Sequence, residues 1–411
     1  MKIYKLSEVF VPAGFPEVTY IERNELKKKM ISAKMNISKH ICIYGSSKCG
    51  KSNLWRKNFE ENEYIKIGMN LKHSIDDIYS EILNQLNAYY ISEKCDNETL
   101  KGSIGAELQF QIKMLFSSKL KSSVEGSTSS GDKRVLAGKQ IISANMLIRY
   151  LKPSAKRIIL EDFHYANEEL IKTLAQDLKA FSDEGCQFIL ISVPSRTQYL
   201  LKENEELQGR LTDLPVGMFS DNELISIIDE GIKALHIEFN DELKNLIVKE
   251  ANKSAAITQD ICQKICIETD IYETQKEKSA IRDLQVFEKA CVSVAEEQKV
   301  TYEQIANTIK HEHGNNTTGI YRWILKMIQK VPINDSGISN TEAYRKIIEL
   351  GHNSILQGSV TSGLGQLPKL LDKKGLPQVF EYNEYKIFFV KDKYMSFVFK
   401  WLPNIVDSLF E

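Results

Sequence analysis

The sequence predicts an α/β fold, in which a doubly wound parallel sheet precedes an all-helical region and a small C-terminal domain. Apolar, strand-like runs alternate with amphipathic helical segments over residues 18–218, a pattern typical of parallel sheets joined by helices. The pattern becomes helical over residues 219–310. Residues 311–411 contain three helical segments and then two short strands. We therefore predict three domains, which comprise residues 1–218, 219–310 and 311–411.

The first buried strand of the predicted sheet leads into a glycine-containing loop. Residues 41–44 are apolar, and Gly45-Ser46-Ser47-Lys48-Cys49-Gly50-Lys51-Ser52 matches G-x-x-x-x-G-K-[ST], with a helix-like segment from Asn53 onward. The two glycines let successive N–H groups face a common centre, and the helix adds the positive end of its dipole. In such a loop the lysine reaches the β- and γ-phosphates and the final hydroxyl binds Mg²⁺. The motif predicts a P-loop that binds ATP and Mg²⁺ through residues 45–53.

The segments after the loop continue the α/β alternation. Residues 64–69 are strand-like and residues 75–86 form an amphipathic helix. Residues 117–134 are rich in Ser, Gly and Lys and almost free of apolar residues, so we predict a mobile insertion there.

Two acids end the next predicted strand. Glu161 and Asp162 follow the strand-like segment 156–160, whose last three residues are apolar, and ligands bind at the carboxyl ends of strands in an open parallel sheet. One carboxylate at this place can hold Mg²⁺ and its water shell, while a second positions an attacking water. The following strand ends at Ser192, a polar group suited to sensing a γ-phosphate.

Helical segments dominate the rest of the chain. Ser220 and Glu223 form a capping-box pattern at the start of the first helix, residues 222–235. Further helices are predicted for residues 240–252, 256–268, 280–310, 320–329, 340–350 and 359–373. A β-hairpin around Asn383 follows, and three helices before a hairpin are the arrangement of a winged helix.

The composition argues against a strongly basic nucleic-acid-binding protein, a disulfide-rich protein and a membrane-spanning protein. The formal net charge is −1, from 54 Lys and Arg against 55 Asp and Glu, so no global basic field indicates nucleic acid. The seven cysteines form no C-x-x-C pair, which favours reduced thiols in a cytoplasmic protein. No apolar run of membrane-spanning length occurs, so we expect no membrane partner.

These landmarks, in this order, resemble the AAA+/STAND class of P-loop ATPases, a layout that origin-recognition ATPases share. The resemblance implies a Walker A role for Lys51 and Ser52 and a Walker B role for Glu161 and Asp162. It further implies a sensor role for Ser192, an arginine-finger or γ-phosphate-sensor role for Arg210, and adenine contacts by the segment that holds Tyr20 and Arg23.

Two departures from the family pattern predict slow turnover. The acid pair is Glu-Asp rather than Asp-Glu or Asp-Asp, which leaves open which acid holds the metal. The lid segment 254–257 has neither the Gly-x-Pro of STAND proteins nor the sensor arginine of origin-type ATPases. ATP binding is therefore a firmer expectation than fast hydrolysis.

Three functions are compatible with this sequence. The first is a nucleotide-dependent switch that controls homo-oligomer assembly or a separate effector protein, as in bacterial anti-phage defence. The second is a DNA-binding ATPase of replication, loading or transposition, with part of the third C-terminal helix in a duplex groove. The third is an ATP-binding regulator with negligible turnover. The residues that would contact DNA or a partner protein are Ser359, Thr361, Ser362, Gln366, Lys369 and Lys373.

Overall fold

A computed structural model of the chain describes residues 2–46, 48–86, 89–91, 134–136, 143–311, 319–331, 333 and 336–411. The described residues form two compact units. We call residues 24–45 and 51–216 the sheet unit, and residues 1–23, 46–50 and 217–411 the C-terminal unit. The predicted insertion 117–134 lies outside the described residues except for Arg134, which begins a short strand.

Helices and strands alternate along the first half of the chain. They are α1 (Leu6–Val9), α2 (Asn24–Met35), β1 (His40–Tyr44), α3 (Lys51–Asn58), β2 (Tyr64–Gly68), α4 (Ile75–Gln85), β3 (Tyr89–Ile91), β4 (Arg134–Leu136), α5 (Ala144–Ser154), β5 (Arg157–Glu161), α6 (Glu168–Asp183), β6 (Phe188–Ser192), α7 (Pro194–Glu203) and β7 (Leu211–Pro215).

Helices prevail in the second half. The elements are α8 (Asp221–Leu235), β8 (Ile237–Phe239), α9 (Asp241–Glu250), α10 (Ala255–Glu268), β9 (Ser279–Ile281), α11 (Leu284–His311), α12 (Ile320–Lys330), β10 (Ile338–Ser339), α13 (Asn340–Glu349), α14 (Gln357–Lys373), β11 (Phe380–Tyr382), β12 (Ile387–Val390), α15 (Lys393–Trp401) and α16 (Asn404–Asp407).

The sheet unit is built on five parallel strands in the order β2-β5-β6-β1-β7. The three inner strands β5, β6 and β1 are buried along almost their whole length, as expected for a parallel sheet covered on both faces. Tyr44 pairs with Ser192, and Gly68 pairs with Glu161. The carboxyl ends of these strands therefore meet at one edge, and the predicted doubly wound α/β fold is confirmed.

A buried histidine, His40, lies at the opposite edge of the sheet, where β1 begins. The Nδ1 atom of His40 accepts a hydrogen bond of 3.0 Å from the backbone N–H of Phe188. The proton of the neutral ring therefore sits on Nε2, which donates to the carbonyl oxygen of Leu178 at 2.7 Å. Burial lowers the pKa of His40 to about 4.

The C-terminal unit has one continuous apolar core that includes α8–α12 and α14–α16. The short N-terminal helix α1 packs on α8, where a Cβ atom at Gly231 would lie 2.3 Å from the ring of Phe10. Only glycine leaves room for that ring, which ties the N-terminal segment to this unit. At the C-terminal end, β10, β12 and β11 form an antiparallel sheet beside α13 and α14.

The structure departs from the expected elements in two places. Residues 18–23, which have the composition of a strand, contain no helix or strand, because the Thr19 hydroxyl donates to the carbonyl oxygen of Val9 and to Gln259 instead. The region 219–310 is not wholly helical, since β8 and β9 pair in parallel within it.

Candidate functional site

Helix α3 begins at the lysine of the P-loop motif. The ammonium of Lys51 donates a hydrogen bond of 2.9 Å to the carbonyl oxygen of Gly45, the residue that follows β1. The first turn of α3, which includes Ser52 and Asn53, contains no acidic residue. The positive end of the helix dipole is therefore not compensated by an acid of its own first turn, which favours a bound anion.

Glu161 stands at the carboxyl end of β5 and is the centre of a polar cluster in the sheet unit. It is 8 % exposed and hydrogen-bonds to the Ser52 hydroxyl. The ammonium of Lys66 lies 2.8 Å from its Oε2 atom, and the indole Nε1 of Trp55 donates to Oε1 at 3.4 Å. The guanidinium of Arg56 lies 4.0 Å from Oε2. We call these five residues the Glu161 cluster.

The cluster keeps Glu161 ionised despite its burial. Burial raises the pKa of this carboxyl, but hydrogen bonds from Lys66 and Ser52 and the charges of Lys66 and Arg56 outweigh burial and hold the pKa below its usual range. An ionised carboxylate bonded to a hydroxyl is the pair of oxygen ligands that suits Mg²⁺. Ser52 and Glu161, both predicted metal ligands, are thus brought together.

Asp162 has a different environment. Its side chain is exposed and its backbone is left-handed, with φ of 58°, an uncommon conformation for a residue other than glycine. Its carbonyl oxygen accepts a hydrogen bond from the backbone N–H of Tyr165, which starts a single helical turn. The two acids are adjacent in sequence, but Glu161 is the one joined to Ser52.

Ser192 ends β6 next to the strand that leads into the P-loop. It is 3 % exposed, and its hydroxyl has no hydrogen-bond partner among the described residues. An unsatisfied buried hydroxyl costs roughly 1–3 kcal/mol, so it calls for an explanation. A phosphate oxygen at this edge of the sheet would supply the missing partner.

Arg210 is not brought near the Glu161 cluster. It precedes β7, and its guanidinium pairs with the carboxylate of Asp183 and donates to the Ser182 hydroxyl at 3.2 Å. Strand β7 runs parallel to β1, so Arg210 lies at the amino edge of the sheet, whereas Glu161 and Ser192 lie at the carboxyl edge. A contribution to ATP hydrolysis by Arg210 would have to be made to another copy of the chain.

Loop residue Lys48 contacts the end of the chain within the C-terminal unit. Its ammonium lies over the ring of Tyr394 on α15, 3.8 Å from the ring centroid. The Tyr394 hydroxyl donates a hydrogen bond to Asp260 on α10, and both side chains are buried. Burial raises the pKa of Asp260, although the Tyr394 hydrogen bond and the Lys48 charge oppose that change. A loop residue is thus joined to two helices far away in sequence.

The other residues of the loop segment have separate contacts in the same unit. The Ser46 hydroxyl lies 3.2 Å from the sulfur of Met218, and the Cys49 side chain is buried. Gly50 has φ of +94° and approaches the ring of Phe219. Ser47 lies outside the described residues. The left-handed backbone at Gly50 is the conformation that the second glycine of the motif is needed for.

Arg23 and Tyr20, the residues of the predicted adenine segment, have separate contacts in the C-terminal unit. The Arg23 guanidinium pairs with Glu223 at 3.0 Å and donates to the carbonyl oxygens of Gly217 and Met218. It also lies 4.9 Å from the centroid of the Phe219 ring. Tyr20 packs against Phe15 with ring centroids 5.6 Å apart. Arg23 thus holds the segment that leads into α8, and its predicted adenine contact stays a prediction.

The polar residues expected to contact DNA or a partner lie on α14. Ser362, Gln366, Lys369 and Lys373 are exposed at helical spacing, so they share one face. Ser359 and Thr361 are half-buried. Gln366 donates to Ser362 at 3.2 Å.

Lys66, Tyr394 and Asp260 were not identified from the sequence. Lys66 gave a usable signal, because a lysine in an apolar strand needs a counter-ion, and β2 ends opposite the predicted acids. Tyr394 and Asp260 gave none, since their contact with Lys48 depends on packing between distant segments.

Neither a whole metal site nor a membrane span is visible in the described residues. No group of three or more His, Cys, Asp or Glu residues is placed to hold a metal ion. No described helix combines the length and the apolar composition needed to cross a bilayer.

Comparisons with known proteins show the fold. No family model and no curated protein matches the sequence. A Walker-type ATPase of Pyrococcus abyssi is similar over 92 % of this chain and 95 % of its own, with a TM-score of 0.51 and 13 % identity. The ORC1 protein of Aeropyrum pernix, solved in complex with DNA, is similar over 100 % and 99 %, with a TM-score of 0.43 and 10 % identity. The RuvB Holliday junction branch migration motor of Thermotoga maritima is similar over 93 % and 95 %, with a TM-score of 0.40 and 12 % identity. The chain therefore has the α/β fold of the Pyrococcus abyssi Walker-type ATPase.

Proposed function

We propose that this chain is an ATP-binding, slowly hydrolysing molecular switch of the AAA+/STAND type. Its nucleotide state would control self-assembly or a partner protein. The P-loop motif at the start of α3 and the fold shared with a Walker-type ATPase support nucleotide binding. The observation that carries the switch is the contact between Lys48 and Tyr394.

The side chains at the carboxyl edge of the sheet fit ATP with Mg²⁺. Ser52 and Glu161 would hold the metal, and Lys51 would bind phosphate oxygens in place of the Gly45 carbonyl. The Ser192 hydroxyl, which has no hydrogen-bond partner among the described residues, is suited to a phosphate oxygen. When bound, Mg²⁺ would withdraw charge from the phosphate oxygens.

Lys48 would couple nucleotide binding to the C-terminal helices, because its ammonium cannot contact a phosphate and the Tyr394 ring at full strength at the same time. Its ammonium would be attracted by a triphosphate, yet it lies on the Tyr394 ring. A cation–π contact of this kind contributes about 0.5–2 kcal/mol. Triphosphate binding and the Tyr394 contact therefore compete. This coupling is reciprocal, because the factor by which the Tyr394 contact weakens ATP binding is the factor by which ATP weakens that contact.

The environments of Glu161 and Asp162 favour slow ATP hydrolysis. If Glu161 holds the metal, Asp162 is the acid left to position water, but its side chain is exposed, and Glu161 has cationic neighbours in Lys66 and Arg56. A long-lived ATP state suits a switch better than a motor.

Variants of Tyr394 test the proposal. Tyr394→Leu removes the ring, and we expect ATP to bind about threefold to tenfold more tightly, measured with a fluorescent ATP analogue. Tyr394→Phe retains the ring and serves as the matched control, with affinity near wild type. Thermal melting establishes that both variants fold. Equal ATP affinity in the two folded variants would contradict the switch.

A DNA-binding ATPase of replication, loading or transposition is the second candidate. The exposed face of Ser362, Gln366, Lys369 and Lys373 on α14 favours it, if β11 and β12 act as the wing of a winged helix. Against it, Glu381 on β11 forms an ion pair of 3.3 Å with Lys391 and reduces the positive charge beside that face. This candidate requires salt-sensitive binding to duplex DNA that falls in Lys369→Ala/Lys373→Ala.

For the biological setting we propose bacterial anti-phage defence, which rests on the resemblance to signal-responsive ATPases alone. Protection of bacteria that express the chain, and its loss in Lys51→Ala, would support this setting. Equal phage yield with and without the chain would contradict it.

A further inference from the structure

Lys66 forms an ion pair with Glu161, the carboxylate that the metal would need. Its ammonium lies 2.8 Å from Oε2 of Glu161, while Trp55 donates to Oε1. The Ser52 hydroxyl bonds to the same carboxyl group. Both oxygens of this buried carboxylate therefore have a donor at hydrogen-bond distance, and one of these donors carries a full positive charge.

The pairing of strands places Lys66 there. Strand β2 lies next to β5, with Lys66 opposite Ile159 and Gly68 opposite Glu161. Side chains two residues apart on a strand point to the same face, so the Lys66 side chain extends along that face toward Glu161. The Lys66 side chain is 39 % exposed, and its head can therefore move from the carboxylate into water.

A divalent cation and an ammonium compete for this carboxylate. Two like charges a few ångströms apart repel wherever water is partly excluded, and Mg²⁺ demands short distances and a regular set of oxygen ligands. A metal ligated by Oε2 of Glu161 would therefore have to displace the Lys66 ammonium from that atom.

We infer that Lys66 is an internal counter-ion that occupies Glu161 while the metal is absent and that Mg²⁺ must displace. This inference rests on the proposed function and identifies a positioning residue for its metal. Lys66 keeps the Glu161 carboxylate paired while the metal is absent, and it raises the Mg²⁺ concentration that ATP-bound protein needs. Glu161 would then become available to the metal of the bound nucleotide only when the Lys66 ammonium leaves it.

Trp55 provides a readout that does not depend on hydrolysis. Its indole donates to Glu161 and is 1 % exposed, so its fluorescence reports on changes at that carboxylate. Replacing Trp323 and Trp401 with Phe leaves it as the only tryptophan of the chain. In this background, Mg²⁺ is titrated into protein saturated with ATP after removal of metal with a chelator.

Lys66→Met keeps the length of the side chain and removes its charge, whereas Lys66→Arg keeps the charge and is the matched control. We expect the Mg²⁺ midpoint of Lys66→Met to fall about tenfold below wild type, with Lys66→Arg near wild type. Equal midpoints for wild type and Lys66→Met would overturn the inference.

A second arm measures binding of a fluorescent ATP analogue in chelator. Unchanged affinity in Lys66→Met is expected, because the inference assigns Lys66 to the carboxylate and not to phosphate. Weaker binding in that variant would make Lys66 a phosphate ligand and overturn the inference while leaving the proposed function intact. Absence of ATP binding by wild type, with and without Mg²⁺, would contradict the proposed function and the inference with it.

Discussion

The side chains of Ser52 and Glu161 are joined by a hydrogen bond, although one begins a helix after β1 and the other ends β5. Asp162 is exposed beside them. On this relationship we propose that Glu161, rather than Asp162, would hold the metal.

The first prediction separates the two acids. Glu161→Gln keeps the size of the side chain and removes its charge, so we expect ATP to bind without a Mg²⁺-dependent gain in affinity. Asp162→Asn should retain that gain and lose hydrolysis if this carboxylate positions water. Isothermal titration with and without Mg²⁺, beside phosphate release, distinguishes them. A normal Mg²⁺ response in Glu161→Gln would assign the metal elsewhere.

The second prediction concerns the Ser192 hydroxyl, for which the described part of the chain offers no hydrogen-bond partner. Removing it in Ser192→Ala relieves a buried unsatisfied group, so the free energy of unfolding without nucleotide should stay equal or rise by about 1 kcal/mol. The preference for ATP over ADP should fall, because the hydroxyl would meet the γ-phosphate. Urea unfolding and competition binding measure the two effects. A loss of stability without a change in nucleotide preference would give Ser192 a structural role only.

Arg210 is the subject of the third prediction. If it acts on another copy, Arg210→Ala loses hydrolysis in assembled protein and retains ATP binding. Its partner Asp183 supplies the control, since Asp183→Ala breaks the same ion pair and leaves the guanidinium in place. Equal activity of the two variants would mean that Arg210 only stabilises the amino edge of the sheet.

The fourth prediction follows from His40. Its folded-state pKa, about 4, lies below the ordinary value of 6.5, so the unfolded chain takes up the proton first. Stability is therefore complete above pH 6.5 and falls as the pH decreases toward 4, by about 2 kcal/mol between pH 7.5 and 5. Urea unfolding of the full chain, followed by Trp55 fluorescence with Trp323 and Trp401 replaced by Phe, measures this change. His40→Gln should show a smaller change, and an equal one would assign it to other groups.

The sheet was predictable because its signals are local. Runs such as residues 157–161 and 188–192 are apolar strands between amphipathic helices, and the P-loop motif fixed the order of strand, loop and helix. Caps were equally local: Ser220 and Glu223 form the expected capping box of α8.

The remaining contacts depend on tertiary packing. Residues 18–23 have strand-like composition but bond to Val9, Gln259 and Glu223, none of which a local pattern identifies. Parallel pairing of β2 with β5, which places Lys66 beside Glu161, also requires the strand order. The sequence therefore located the acids at the end of a strand but did not predict that Lys66 pairs with Glu161.

The most direct test of the central claim is the molar mass of the protein in solution. Size-exclusion chromatography with light scattering compares nucleotide-free protein, ADP, and ATP with Mg²⁺, each with and without duplex DNA, beside Lys51→Ala. The account predicts a larger species, or capture of an added partner, with ATP and Mg²⁺ only, independent of DNA and absent in Lys51→Ala. A monomer in every condition that also captures no partner, or co-elution with DNA regardless of nucleotide, would contradict it.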